Sequence, residues 1–168
     1  MIQFATLDSP LGKFGVQTSE KEVYRIFLPN SINYQTISIT PIKNRSNILQ
    51  ETLDELNQYF LGERREFMIP FNLILPSYFN KVLCEVSKIP FGQTASYQDI
   101  AVQTKNPKAA RAVGNANAKN PIPIIIPCHR VITSSGELGG YGGGPDLKKK
   151  LLHHEGVNLL NSSTWKTV

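Results

Sequence analysis

A short apolar segment framed by prolines constrains this chain more than any other part of its sequence. Pro121, Pro123 and Pro127 fix their own backbone angles, so they limit the conformations open to the isoleucine-rich run between them. The segment ends at Cys128 and His129. A thiol reacts as the thiolate, and a neighbouring imidazole can stabilise that anion or take its proton. The rigid presentation of this pair favours a nucleophilic cysteine over an accidental Cys-His neighbourhood.

The length of the chain limits the number of domains, and its net charge indicates which partners it can bind. A chain of 168 residues can bury one good core, or one core with a small second domain. The formal net charge of +5 suits an anionic partner, and nucleic acid comes first. Many basic proteins bind nothing anionic, so the charge by itself leaves both alternatives open.

The cysteines and histidines indicate a reducing compartment and no metal. Cys84 and Cys128 are too few for a disulfide framework, and we expect a cytoplasmic protein. The histidines at 129, 153 and 154 form no cluster with metal-ligand spacing, so we expect no structural zinc. Cys84 lies in a run with helical apolar spacing, which predicts a core-filling role. We expect neither a signal peptide nor a membrane span.

The first third of the chain has the pattern of a small β unit followed by one helix. Strand-like runs cover 2–7, 13–18 and 23–28, with turn residues between them. A polar stretch without a clear period follows over 29–45. Apolar residues then recur at helical spacing over 48–60. The connector after this helix contains the predicted domain boundary, which divides the chain into 1–75 and 76–168.

The second half predicts three helices before the proline-framed segment. Residues 77–88 form an amphipathic helix, and Thr94 or Ser96 can cap the next one, which runs over 97–104. A turn follows, and a third helix covers 108–118. Two short helices joined by a tight turn are typical of a helix-turn-helix.

The helix over 108–118 is unusually slim. Its side chains are mostly those of alanine, glycine and asparagine, and Arg111 is the one large cation near its start. Such a helix either packs closely on a neighbouring helix or enters a narrow DNA groove, with Arg111 reaching into the base stack or the phosphates.

A glycine-dense segment over 135–145 precedes the last predicted helix. Tyr141 is surrounded there by six glycines, and the pattern of a phosphate-binding loop is missing. The segment is either a floppy surface loop or a pocket wall with an aromatic face. The final helix covers 146–155. Within it, Lys148 to Lys150 read as a solvated basic face, with phosphate contact as the alternative.

The chain resembles the 6-O-alkylguanine-DNA alkyltransferase family. The sequence from Asn120 to Val131, Asn-Pro-x-Pro-x-x-Ile-Pro-Cys-His-Arg-Val, is similar to that family's active-site signature. Further matching residues are Pro90-Phe-Gly92, Ser96-Tyr97, Ala110-Arg-Ala-Val-Gly114, Gly139, Tyr141 and Leu151-Leu-x-x-Glu155-Gly156. The resemblance covers residues 77–157. The first third matches only in size and strand content.

The resemblance implies an α+β fold in two domains. A small N-terminal β-sheet and helix, ribonuclease H-like, would be joined to a mainly α-helical C-terminal domain with a winged-helix-like helix-turn-helix. The implied activity is DNA repair in one irreversible step. The protein would bind duplex DNA through the minor groove, flip out a 6-O-alkylguanine and transfer its alkyl group to its own cysteine; 4-O-alkylthymine is a second candidate substrate. No cofactor is implied, the partner is double-stranded DNA, and we expect a monomer.

The resemblance also implies a role for individual residues. The catalytic set comprises Cys128 as alkyl acceptor, His129 as its base through a water, Glu155 as the group that orients His129, Asn120 as the brace of the turn, and Tyr97 as a hydrogen-bond donor to guanine. The base pocket would add Pro123, Val131, Tyr141 and Gly142. DNA contacts would come from Ser96, Arg111, Ala112, Gly114, Asn115 and Arg130, with Arg111 filling the place of the flipped base.

Two departures from the family limit what carries over. Some relatives hold zinc in the N-terminal domain, and the cysteines and histidines for it are missing here, so zinc is not carried over. Gly142 stands where the family often has serine. A backbone N–H contact would survive there, but a hydroxyl contact would not.

Two other functions remain open at the level of sequence. A lesion-binding or DNA-binding module with an idle thiol would bind without transfer, but the presence of Cys128 argues against it. A cysteine hydrolase built on Cys128 and His129 would turn over many times on an ester or amide. The Pro-Cys-His-Arg context and the nearby helix-turn-helix argue against that class.

Overall fold

The computed structural model describes residues 1–31, 36–161 and 164–166 and contains two compact units, 1–73 and 74–168. The expected α+β class is confirmed. Part of the polar stretch predicted over 29–45, residues 32–35, lies outside the described residues. Among the described helices, none is long and apolar enough to cross a membrane.

The first unit is a three-stranded antiparallel sheet with one helix. The strands are β1 (Gln3–Ser9), β2 (Gly12–Thr18) and β3 (Val23–Phe27), in the order β1-β2-β3. Short connections make such consecutive antiparallel pairing possible. The three predicted strands are confirmed, with shifts of one or two residues at their ends.

Helix α1 (Asn47–Phe60) covers one face of this sheet. Its apolar residues recur three and four positions apart, so Leu49, Leu53 and Leu56 are all buried on one side. The ring of Phe60 lies 4.8 Å from that of Phe14 on β2, measured between centroids. The helix begins after Ser46, whose hydroxyl accepts a hydrogen bond from the N–H of Leu49. The predicted helix over 48–60 is confirmed.

The second unit opens with the predicted helix-turn-helix region. Its elements are α2 (Ser77–Val86), β4 (Ala95–Ser96), α3 (Tyr97–Gln103) and α4 (Ala110–Ala118), and α4 packs against both α2 and α3. Ser96 caps α3 in a reciprocal arrangement with Asp99. Lys105 adopts a left-handed φ of 60° in the turn between α3 and α4. The three helices predicted here are confirmed.

The chain then passes through the proline-framed segment into a short 3₁₀ turn, Cys128–Arg130, and directly into β5 (Val131–Ile132). β5 pairs in parallel with β4, so the residues after the cysteine are hydrogen-bonded to the start of α3. Helix α5 (Pro145–His154) follows, with proline in its first turn. A final hairpin, β6 (Asn158–Asn161) and β7 (Thr164–Lys166), has no counterpart in the sequence-based expectations.

Cys84 does not fill the core, and that prediction was wrong. The thiol is exposed, whereas Val82, Leu83 and Val86 form the buried face of α2. One residue along a helix corresponds to a rotation of about 100°, so the position after Leu83 already turns away from the core.

The cap of α1 provides a test of this local structure. Ser46→Ala should lower the free energy of unfolding by about 1 kcal/mol, because the N–H of Leu49 loses its acceptor. Urea unfolding measures the change. Ser46→Asp keeps an acceptor at the same position and serves as the control; a loss of equal size in both variants would contradict the capping role.

Candidate active site

The backbone before Cys128 is held in an unusual conformation. Ile124 adopts a φ of 76°, which is rare for a branched residue, and it is buried. The Asn120 side chain stabilises this turn from inside. Its amide N–H₂ donates to the carbonyl of Ile126 at 2.8 Å, and its Oδ1 accepts from the N–H of Ile122 at 3.1 Å. These contacts fix the backbone that presents the cysteine.

A buried carboxylate joins the two residues that follow Cys128. Glu155, the residue after α5, accepts a hydrogen bond at Oε1 from His129 Nε2 at 2.6 Å. Arg130 donates from Nε to Oε2 of the same carboxylate at 2.7 Å and from Nη2 to Oε1 at 3.0 Å. All three side chains lie in the protein interior. The result is a single hydrogen-bonded ion cluster directly beside the cysteine.

Electrostatics assign a charge state to each member of this cluster. Burial alone would raise the pKa of Glu155, but the charges and hydrogen bonds of His129 and Arg130 outweigh it and hold that pKa well below its usual range. Burial lowers the pKa of His129, although the charge and hydrogen bond of Glu155 act to raise it. The hydrogen bonds and charge of Arg130 lower the pKa of Glu155, so that carboxylate stays ionised even while His129 is neutral.

The tautomer of His129 follows from these contacts. A carboxylate only accepts, so His129 Nε2 must carry the proton. Nδ1 then carries a lone pair, and it is buried without a hydrogen-bond partner within residues 1–31, 36–161 and 164–166. A neutral imidazole with an unoccupied, buried nitrogen is equipped to accept a proton from a neighbouring group.

The thiol of Cys128 is buried, and opposing effects act on it. Burial raises its pKa, whereas the Asn120 side chain, the charge of Lys148 and nearby backbone groups lower it. The net direction is upward, so the resting group is a thiol rather than a free thiolate. Reaction at neutral pH therefore requires a base, and His129 offers one.

A cavity of about 580 Å³ lies over the thiol. Helix α4 forms one wall and the glycine-dense segment forms another, and the predicted residues that line it are Tyr97, Arg111, Gly114, Asn115, Cys128, Tyr141 and Gly142. Gly139 has a φ of 70°, and an added Cβ would come within 2.8 Å of the Tyr97 hydroxyl. The glycine is therefore needed for the close approach of this wall to Tyr97.

The two cavity tyrosines remain protonated at neutral pH. Burial, followed by the charge of Cys128, raises the pKa of Tyr97. The same causes, with Glu155 added, raise the pKa of Tyr141 well above its usual value. Both hydroxyls can therefore donate a hydrogen bond. That of Tyr97 donates to the carbonyl of Gly140 at 3.5 Å, and that of Tyr141 is buried and has no partner among the described residues.

Comparisons with known proteins agree with this architecture. Residues 77–157 match the family model of the 6-O-methylguanine DNA methyltransferase DNA-binding domain, and residues 2–73 match its ribonuclease-like domain. The methylated-DNA–protein-cysteine methyltransferase of Mycobacterium leprae is 38% identical over 170 residues, which cover 98% of each chain. The human protein of that name is 39% identical over 167 residues, covering 92% of this chain and 80% of its own.

A solved structure shows the same similarity in three dimensions. Mycobacterium tuberculosis OGT in complex with DNA superposes with a TM-score of 0.82 at 38% identity, covering 91% of this chain and 92% of its own. The chain belongs to the 6-O-methylguanine DNA methyltransferase family. The family resemblance inferred from the sequence is confirmed, and it extends over the N-terminal domain as well.

One residue predicted to contact DNA is placed elsewhere in this methyltransferase-family chain. Arg130 is only 5% exposed, and its guanidinium donates to Glu155 and to the carbonyl of Ile89, the latter at 2.6 Å. Its guanidinium also lies 5.9 Å from the ring centroid of Phe91. The prediction of a DNA contact for Arg130 was wrong, because a carboxylate 25 residues away in sequence holds it inside.

Other predicted residues lie near the cavity without lining it. Pro123 and Val131 are buried, Ser96 caps α3, and Ala112 is partly buried on α4. None of these four lines the cavity that the described residues enclose.

The sequence analysis did not foresee the positions of Asn117 and Lys148. Asn117 lines the cavity from α4, and both polar atoms of its amide are buried without a partner in the part of the chain that the structure describes. Lys148, read as part of a solvated face, is fully buried, and that prediction was wrong. Asn117 is three residues after Gly114, so their shared helix face could have been derived from the helical repeat. The burial of Lys148 had no such signal, because its neighbours on α5 are also lysines.

The lowered pKa of His129 predicts a loss of stability in mild acid. The unfolded chain takes up a proton near the ordinary pKa of about 6.5, and the folded protein resists protonation until a lower pH. The free energy of unfolding should therefore fall between about pH 7 and pH 5. Urea titrations at several pH values measure this slope. His129→Gln should flatten it, and an equally steep slope in that variant would contradict the assignment.

Glu155 also lowers the free energy of unfolding as the pH falls, but over a lower pH range than His129. Its pKa is depressed in the folded state, so its contribution to stability is complete above its unfolded pKa of about 4.3 and is lost as the pH falls further. The two groups can thus be separated in one series of unfolding curves.

Proposed function

We propose that this protein repairs alkylated DNA by transferring the alkyl group of 6-O-alkylguanine to Cys128, once per molecule. The observation that carries this proposal is the thiol of Cys128 at a cavity walled by α4, next to a buried His129–Glu155 pair. Membership of the methyltransferase family supports the substrate class. The similar structure of the M. tuberculosis protein was solved with DNA.

The charges around the helix-turn-helix suit a polyanionic partner. Lys105, Lys108, Arg111 and Lys119 are all exposed on α4 or beside it. Cations at this density bind phosphates and release counterions. In the proposed complex α4 enters the minor groove, and Ser96, Ala112, Gly114 and Asn115 lie along the contact.

Base flipping is required by the position of the sulfur. A thiol inside a protein cavity cannot reach an alkyl carbon within a stacked duplex, so the nucleotide must rotate out of the helix. Arg111 is exposed and lines the cavity mouth, where it can occupy the gap left in the base stack. Tyr97, Tyr141 and Gly142 would surround the base, and Pro123 and Val131 would support that wall from behind.

The transfer is a displacement at carbon. The sulfur of Cys128 attacks the alkyl carbon as its proton passes to His129 Nδ1 through a water, and the ionised Glu155 stabilises the imidazolium that forms. The carbon–oxygen bond to guanine breaks, and its electron pair stays on the base, where a hydrogen bond from Tyr97 stabilises the negative charge. A thioether remains on the protein. Water does not cleave it, so the cysteine is not regenerated.

The central experiment is intact-protein mass spectrometry after incubation with duplex DNA that contains 6-O-methylguanine. We expect one methyl group per protein, located on the Cys128 peptide. Cys128→Ser should bind the same DNA without transfer, and Cys84→Ser should react fully. A methyl group found elsewhere, or catalytic turnover beyond one equivalent, would exclude this mechanism.

The intercalation role of Arg111 predicts a substrate-dependent defect. Arg111→Ala should slow repair of duplex DNA roughly tenfold or more, since unstacking costs a few kcal/mol, and should barely affect reaction with a free alkylated base. Single-turnover rates on both substrates measure this. Lys119→Ala removes an exposed cation that does not line the cavity and is the matched control. Equal losses on both substrates would contradict the role of Arg111.

A further inference from the structure

Asn117 lies in the last turn of α4, on the face that lines the cavity over Cys128. Its backbone carbonyl accepts a hydrogen bond from the N–H of Asn120 at 3.1 Å, and the side chain of Asn120 braces the cysteine turn. Gly114, three residues earlier on the same helix face, lies next to the ring of Tyr97. The backbone of Asn117 is therefore fixed relative to the residues that present the sulfur.

The side-chain amide of Asn117 has hydrogen-bonding capacity that the fold leaves unused. Its Oδ1 can accept and its Nδ2 carries two protons, and both atoms are buried with no partner among the residues that the structure describes. Such an arrangement costs stability, because nearly all buried polar groups in folded proteins are hydrogen-bonded. The last torsion of an asparagine side chain is broad, so the amide can turn toward a molecule in the cavity.

The other polar side chains of the cavity are less suited to hold a base. The Thr133 hydroxyl is hydrogen-bonded within its own loop, the Tyr97 hydroxyl donates to a carbonyl of the glycine-dense segment, and Asn115 is exposed. Among the described residues that line the cavity, only Asn117 and Tyr141 have a buried side-chain polar atom without a partner. A tyrosine hydroxyl has one proton to donate, whereas the amide offers a strong acceptor and a donor side by side.

A 6-O-alkylguanine presents an edge that matches this amide. Alkylation removes the proton from N1, so N1 and N3 are both acceptors, and the 2-amino group is the only N–H donor of the base in a nucleotide. The amino group lies on the carbon between N1 and N3, which places a donor beside an acceptor. An asparagine amide forms two hydrogen bonds with such an edge, as it does with adenine in DNA. A 4-O-alkylthymine has no N–H donor, so it would leave Oδ1 unpaired.

We propose that Asn117 is a specificity-determining residue, whose amide recognises the 2-amino group and an adjacent ring nitrogen of the flipped 6-O-alkylguanine. Oδ1 accepts from the amino group, and Nδ2 donates to the nitrogen. The departing guanine shares its negative charge with its ring nitrogens, so the same donor stabilises the leaving base. The inference rests on the proposed function, since it requires a guanine in the cavity.

The test removes the amino group from the substrate and the amide from the protein, separately and together. Duplexes carry either 6-O-methylguanine or 6-O-methylhypoxanthine, which lacks only the 2-amino group, at the same position. Second-order rate constants for methylation of Cys128 are measured under single-turnover conditions. The parent should prefer the guanine lesion, and in Asn117→Leu, which has a similar size and no polar atoms, this preference should fall about tenfold. An equal preference in the parent and in Asn117→Leu, shown by circular dichroism to be folded, overturns the proposal.

A second variant separates the acceptor from the donor. Asn117→Asp keeps an acceptor oxygen and loses the amide donor, so it should keep most of the preference for the 2-amino group and react more slowly with both duplexes. The control Asn57→Leu makes the same change as Asn117→Leu at an exposed position of α1 and should match the parent. A loss of preference in Asn117→Asp as large as in Asn117→Leu overturns the acceptor role of Oδ1.

A duplex with 4-O-methylthymine extends the test to the second candidate lesion. Asn117→Leu should narrow the difference in rate between the guanine and thymine lesions, and an unchanged difference counts against the proposal. If the parent methylates Cys128 and its preferences do not depend on Asn117, this proposal fails and the proposed function stands. If the parent reacts with none of the lesions, the proposed function fails, and the role of Asn117 fails with it.

A measurement without a substitution of Asn117 decides the matter should both variants fail to fold. In ¹⁵N-labelled Cys128→Ser protein, the side-chain amide resonances of Asn117 are recorded with the 6-O-methylguanine duplex and with an undamaged duplex of the same sequence. The lesion should move one amide proton downfield and slow its exchange with water, because that proton enters a hydrogen bond. Identical resonances with the two duplexes overturn the proposal.

Discussion

The carboxylate of Glu155 is the interaction on which the rest of the site depends. It accepts from His129 on one side and from Arg130 on the other, so one buried anion sets the tautomer of the histidine and holds the arginine inside. Without the arginine, a carboxylate paired with a neutral imidazole would be drawn toward protonation by burial. The permanent guanidinium charge removes that option, and His129 can stay neutral while its neighbour stays ionised. The charge states of Glu155 and His129 thus depend on a cation that is itself buried.

Much of the fold could be predicted because its signals are local. The strands follow alternation and turns, α1 and α2 follow helical spacing, and the capping residue Ser96 marks the start of α3. The parallel contact of β4 with β5 could not be foreseen in this way, since it joins residues 36 positions apart and each strand has only two residues. Its hydrogen bonds depend on tertiary packing and not on composition.

The site residues also divide into those with a local sequence signal and those placed by tertiary contacts. The pair Cys128–His129 and Tyr141 were singled out from their residue types, and Tyr97 from the family resemblance. The structure brings all four to one cavity or its immediate surroundings. The two cations were misread. Arg130 and Lys148 have the side chains of surface residues, and their partners are a distant carboxylate and backbone carbonyls. Every residue has a backbone carbonyl, so no sequence pattern predicts which carbonyls will accept a hydrogen bond from a lysine.

The short β4–β5 pairing has a mechanical consequence. It hydrogen-bonds the residues just before α3 to those just after Cys128. This pairing limits the relative movement of the surface that would meet a duplex and the sulfur behind it. A protein joined so tightly cannot extend its reactive atom toward a target. The distortion needed to bring the two together must then be borne by the nucleic acid. The free energy of that distortion depends on the sequence that surrounds a lesion, because some base steps bend and unstack more readily than others.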